Sequence, residues 1–92
     1  MMNKLLVEFL GTMFLLFTIL ATGNYLAIGA ALAIGVFLGG KISGAAYNPA
    51  VAIALFTAGK LRKDDLLPYI IAEVLGAIAG WYLYKQSLKS MK

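Results

Sequence analysis

The sequence predicts an all-α membrane protein made of three transmembrane helices and one re-entrant half-helix, in a single domain over residues 1–92. Three observations predict it. Of the 92 residues, 62% are hydrophobic and only 13% charged, whereas a soluble domain is near half apolar and a quarter charged. Mean hydropathy is +0.88, and a chain this short has too much surface to hide so much apolar side chain in water. The apolar residues fall into three long runs, and between the second and third lies a much shorter apolar stretch opening at Asn48-Pro49.

The first span covers residues 5–22, with Glu8 its one ionisable residue. At ~1.5 Å per residue it reaches ~27 Å, enough for a ~30 Å hydrocarbon core. A signal peptide fits less well: Lys4 is a meagre basic region, the apolar run is long, and Ala21-Thr22-Gly23 is a poor cleavage site. After a polar break, the second span runs over residues 26–40. Ala31, Gly35 and Gly39 stand four apart on one face, a spacing that lets helix backbones approach closely in lipid; a Gly/Ala-rich apolar helix without that role is the plainer reading.

Residues 41–47 are irregular in composition. The half-helix then spans residues 49–58, with Asn48 as N-cap, Pro49 at the first helical position and Gly59 beyond the end. Ten residues rise only ~15 Å, half a membrane. Charges follow at once, from Lys60 to Asp65. A half-length helix joined to an uncharged coil between two spans reads as a re-entrant loop, since irregular backbone at membrane depth survives only where protein or water surrounds it. An interfacial or core helix is the alternative.

The third span covers residues 66–84, with Pro68 in its first turn and Glu73 its one carboxylate. Ala72, Gly76 and Gly80 form a second small-residue ladder. Trp81, Tyr82, Tyr84 and Lys85 make an aromatic and basic interface anchor. The tail, residues 86–92, reads as polar and frayed.

The inventory excludes much chemistry. There is no cysteine and no histidine, which removes disulfides, thiol nucleophiles, zinc fingers and His acid–base work. No catalytic residue, metal site or cofactor is expected, and the chain does not read as an enzyme. Disorder is excluded by the same composition. The net charge of +4 is dispersed between apolar runs, which suits lipid headgroups and not nucleic acid.

Two features point to function. The N-terminus of the half-helix at Asn48 places backbone N–H groups, and about half a positive charge, at mid-membrane. That field repels cations, the Asn48 side chain offers a donor, and the carbonyls of Gly44, Ala45, Ala46 and Tyr47 offer an acceptor ladder, a combination suited to small neutral solutes. The second feature is the pair of intramembrane carboxylates, Glu8 and Glu73. A proton relay is one reading; the favoured one is structural, with carboxylates accepting from N–H groups of the irregular loop.

The segment Ile42-Ser43-Gly44-Ala45-Ala46-Tyr47-Asn48-Pro49-Ala50-Val51 resembles the pore loop of the aquaporin/glycerol-facilitator (major intrinsic protein) family. Val7-Glu8-Phe9-Leu10-Gly11-Thr12 is similar to that family's first helix. Ala72-Glu73-Val74-Leu75-Gly76-Ala77 resembles its third, where Gln is usual in place of Glu73. The three matches fall in order over nearly the whole chain. The resemblance implies half of an aquaporin fold, because the family has six spans and two Asn-Pro-Ala loops in halves related by an inverted repeat. It implies a multi-pass protein of the cell membrane passing water or small neutral solutes such as glycerol.

One such loop reaches only to mid-bilayer, so the resemblance implies a second loop from the other side. An antiparallel homodimer supplies it most simply, with eight chains then forming four pores; a separate, unlike half-protein is the alternative partner. In the family-like topology Lys4, Lys41, Lys60, Arg62 and Lys63 share one side, and Lys85, Lys89 and Lys92 the other, a bias weak enough to permit dual insertion. By register from Asn48, the family's selectivity filter falls on Ile28, Val36, Ala45 and Val51, with Val51 where the second half normally has Arg. That implies a broad, apolar constriction. Two other function classes stay open: a non-conducting structural membrane protein, and a proton-coupled small multidrug-type transporter needing Glu8 or Glu73.

Overall fold

The computed structural model describes residues 1–91; Lys92, assigned above to the second charged side, lies outside the described residues. Four helices follow one another, α1 Met2–Thr22, α2 Tyr25–Ser43, α3 Pro49–Thr57 and α4 Lys63–Ser90. α1, α2 and α4 are each long and apolar enough to cross a membrane. At nine residues, α3 rises only ~14 Å.

The boundaries differ from the apolar runs for local reasons. α1 and α4 begin earlier than their spans because amphipathic first turns pair with each other: Lys4 Nζ lies 3.7 Å from Asp65 Oδ2. Pro68 therefore sits inside α4 instead of in its first turn. α2 continues through Lys41-Ile42-Ser43 and stops where Gly44 turns left-handed at φ 86°, a conformation glycine adopts without steric cost. The tail expected to fray stays helical to Ser90. Gln, Leu and Lys are strong helix formers, Ser87 Oγ donates to the Tyr84 carbonyl at 2.7 Å, and Lys85 Nζ lies 4.7 Å over the Trp81 ring.

α1 packs against both α2 and α4, and α3 packs against α4 alone. Among the described residues the backbone of α2 approaches neither α3 nor α4, and the Tyr69 side chain of α4 reaches α2 at its last residue, Ser43, so the lateral order α2–α1–α4–α3 forms an open crescent. Small residues set how closely these helices meet. A Cβ at Gly76 would fall 2.5 Å from the Phe9 carbonyl oxygen, and one at Gly80 2.7 Å from that of Met13; both are backbone atoms that cannot yield. The ladder Ala72, Gly76, Gly80 is buried along α4 and is what brings α4 onto α1.

The N-termini of α1 and α4 share one end of the molecule, as the Lys4–Asp65 pair requires. α2 descends to that end, and α3 returns to it through Gly59, Lys60 and Leu61. Lys4, Lys41, Lys60, Arg62 and Lys63 consequently gather there, with Lys85 and Lys89 toward the other end of α4.

Candidate functional site

The site is the five-residue coil between α2 and α3, residues 44–48, together with the first turn of α3. Three residues of left-handed backbone build it. Gly44, Ala45 and Tyr47 have φ of 86°, 53° and 55°. Left-handed backbone at a non-glycine residue costs free energy and persists only where surroundings over-determine it. Here the determinant is Glu8, fully buried on α1. One carboxylate oxygen accepts from the Ser43 hydroxyl at 2.6 Å and the Ala46 N–H at 3.2 Å; the other accepts from the Tyr47 N–H at 2.8 Å. The Ala45 N–H donates to Ser43 Oγ at 3.1 Å.

These bonds also decide where the carbonyls point. In a trans peptide the C=O lies opposite the N–H of the next residue. Glu8 draws the N–H groups of Ala46 and Tyr47 toward α1, so the carbonyls of Ala45 and Ala46 point away from it. Those of Gly44, Ala45, Ala46 and Tyr47 accept no hydrogen bond from the described residues. The Ser43 carbonyl, by contrast, is held by the Tyr69 hydroxyl at 2.7 Å.

Tyr47 is the second clamp. Its ring fills a cradle in which a Cβ on Gly11, Gly35 or Gly39 would overlap it, and its hydroxyl donates to the Gly35 carbonyl at 2.6 Å. The small-residue face of α2 thus serves the loop as well as helix packing. Tyr47→Phe is expected to lower stability by ~1 kcal/mol, the net worth of one hydrogen bond, seen as an earlier midpoint of reversible unfolding in detergent with the assembled state unchanged.

Asn48 caps α3 from an extended backbone. Its Oδ1 accepts the Ala50 N–H at 2.8 Å, which fixes the amide and turns Nδ2 away from the helix. The residue is exposed in the single chain. Pro49 occupies the first helical position, where a missing N–H costs nothing. Ala50 and Val51 are exposed on that turn, while Ala52 is fully buried beneath it. A polar pocket of about 200 Å³ opens beside Ser43 and Gly44 among Lys4, Lys60, Arg62 and Asp65, joining the basic end of the molecule to the start of the loop.

The remaining sequence candidates are placed as follows. Ala45 lies buried in the loop, Val51 is exposed on the first turn of α3, Ile28 is half-buried near the start of α2, and Val36 is exposed midway along α2. The single chain brings Ala45 and Val51 to one locality and leaves Ile28 and Val36 on a helix that does not reach α3. Glu73, expected to accept from the loop as Glu8 does, makes no hydrogen bond although it is 1% exposed. Ser43 and Tyr69 had no sequence signal for their roles: each bond joins residues far apart in the chain. The described residues hold no group of three or more metal-ligating side chains.

The family model for major intrinsic proteins matches residues 1–92. The chain is 43% identical to aquaporin Z of Brucella melitensis, over 87% of this chain and 42% of that protein. It is 40% identical to glycerol uptake facilitator protein-like 6 of Lactiplantibacillus plantarum, over 86% of this chain and 41% of that protein. Against the glycerol uptake facilitator protein of Streptococcus pneumoniae the identity is 37%, over 90% and 43% respectively. The chain thus spans less than half the length of the curated relatives it matches.

Proposed function

The chain belongs to the major intrinsic protein family and is a multi-pass membrane protein with three apolar spans, and from that membership we propose that it forms half of a passive channel for water and small neutral solutes such as glycerol. Two copies in opposite orientations complete the pore. The observation that carries the reading is the loop itself: four carbonyls without a donor among the described residues, two of them turned away from α1, lead to a capped and exposed Asn48 whose Nδ2 is free of such partners. Unpaired backbone polar groups at membrane depth are costly unless water bathes them. A file of acceptors ending in a donor, on otherwise apolar walls, replaces part of the hydration of a neutral hydroxylic solute and gives a cation no counter-charge. The positive end of α3 opposes cations further.

The crescent explains the need for a partner. α2 and α3 diverge and leave the loop open on one side, with Ala50, Val51, Ile53 and Phe56 of α3 exposed. A second, inverted copy closes that side and brings its own Asn48 from the other leaflet. Ile28 of one copy then meets Val36, Ala45 and Val51 of the other, and the constriction lacks arginine, histidine and aromatic side chains. Four such pores from eight chains are the full assembly this reading proposes. Glu8 supports this reading over a proton-coupled one, because both its oxygens are committed to the loop.

Stopped-flow measurement on the chain reconstituted alone in liposomes tests the function: water and glycerol flux without a proton gradient is expected, and flux that needs such a gradient contradicts it. Val51→Arg tests the filter. Arginine adds length, five donors and a fixed charge near each mouth of the symmetric pair. The ratio of glycerol to water permeability is expected to fall. An unchanged ratio in a variant that still assembles and conducts water removes Val51 from the constriction.

A further inference from the structure

The seam between α1 and α4 holds a feature that the channel reading does not use. Its register can be followed contact by contact. Lys4 meets Asp65, Thr12 Cβ lies 3.0 Å from the Cβ position of Gly76, and the Met13 carbonyl faces Gly80. Lys4, Glu8 and Thr12 are successive turns of one face of α1, and Asp65, Tyr69, Glu73, Gly76 and Gly80 form one buried face of α4. In this register Glu8 stands opposite Glu73, whose carboxyl group lies near that of Glu8 and near the Asn48 backbone without reaching hydrogen-bond geometry to either.

Their environments are unlike. Glu8 is 0% exposed and accepts three hydrogen bonds. Glu73 is 1% exposed, and both its oxygens lack a partner. Thr12 Oγ1, one turn along the same seam and 2% exposed, also has none. The other titratable groups facing the pair are Lys4 and Asp65, engaged with each other one to two turns away, Tyr69, whose hydroxyl is given to Ser43, and Tyr47, whose hydroxyl is given to Gly35. Among the described residues no cation forms an ion pair with either carboxyl group.

An unpaired buried carboxylate costs several kcal/mol or more, and two carboxylates sharing a site do not both ionise. We infer that the Glu8–Glu73 pair is a proton-binding site: it holds one proton, with Glu73 as the neutral acid and Glu8 as the carboxylate. The Glu73 O–H donates toward Glu8, and the one negative charge is spread over the loop donors that Glu8 already gathers. The proton is fixed and is not passed on. Glu73 is therefore a positioning residue: its neutrality leaves Glu8 free to aim the loop carbonyls and keeps a second negative charge away from Asn48. Gln retains the shape and a donor at this place without a proton to lose.

Infrared spectra of the reconstituted chain at neutral pH, against Glu73→Gln as the subtraction, read the proton directly and independently of any flux. The unsubstituted chain is expected to show the C=O stretch of a protonated carboxylic acid. Glu73→Gln is expected to lose that band and assemble as before, whereas Glu73→Leu, with no donor to give Glu8, is expected to lose assembly. Absence of the band from the unsubstituted chain overturns the inference, as does its persistence in Glu73→Gln, which puts the proton on another carboxyl. A band that appears only when choline replaces sodium overturns it too, since a metal cation then neutralises the pair. Normal assembly of Glu73→Leu removes the positioning role.

Discussion

Glu8→Leu is expected to abolish assembly. The substitution strands the Ser43 hydroxyl and the N–H groups of Ala46 and Tyr47, three donors that now converge on one carboxylate. Each buried donor left unmade costs ~1–3 kcal/mol, and the total approaches the whole net stability of ~5–15 kcal/mol typical of a domain. The Tyr47 ring and hydroxyl stay clamped on α2, but the Ala46 and Tyr47 amides that set the left-handed turns lose their acceptor, so the loop relaxes and the carbonyl file is lost. Glu8→Gln is milder. Its amide oxygen, placed where one carboxylate oxygen accepts from Ser43 and Ala46, keeps two of the bonds, while its NH₂ group opposes the Tyr47 N–H. The Gln variant is expected to assemble and conduct with reduced stability. Gel filtration in mild detergent, followed by flux in liposomes, checks both. A Leu variant that assembles and conducts normally removes Glu8 from the loop's support.

Asn48→Asp is expected to leave the fold intact and damage the passage of solutes. Asp is as good an N-cap as Asn, and its charge suits the positive end of α3, so the bond to the Ala50 N–H survives. What changes is the group on the open side. A second carboxylate oxygen replaces the Nδ2 donor, and a negative charge cancels the field that opposes cations. Losing one donor to the solute is worth ~1 kcal/mol, roughly a fivefold fall in neutral-solute flux, and the inverted pair presents the change twice. Glycerol and water permeability should both fall while cation leak rises, measured by stopped-flow and by an ion-sensitive dye in the same vesicles. Unchanged flux with unchanged ion exclusion removes Asn48 from the path.

The spans were legible because lipid imposes a simple demand: apolar runs of sufficient length, broken by short polar segments. The half-helix was legible from Asn48, Pro49 and the charges after Gly59, which mark both of its ends by capping chemistry. The function proposed for it was legible only through the Asn-Pro-Ala motif in company with two further matches. The ends of α1, α2 and α4 lie beyond the apolar runs, because hydropathy marks the membrane-crossing part of a helix and not its limits. Lys4 and Asp65 extend the helices by pairing, and residues 86–90 continue one because nothing in them breaks it. Tyr69 looked like ordinary span material, and its hydroxyl finds Ser43 only through the packing of α4. Glu8 and Glu73 read alike as isolated intramembrane carboxylates. Their opposite circumstances follow from the α1–α4 register, which the small-residue ladder suggests but does not number.

The central claim is that a pore is completed by inverted copies of this chain. Reconstituting it with no other polypeptide, labelling a cysteine introduced near the C-terminus from outside the vesicles and then from both sides, and counting chains per particle by native mass spectrometry tests that claim. The account predicts an even number of chains, half of the C-termini reachable from outside, and passive water flux in the same vesicles. A conducting preparation with every C-terminus on one side, or an odd number of chains, would contradict it.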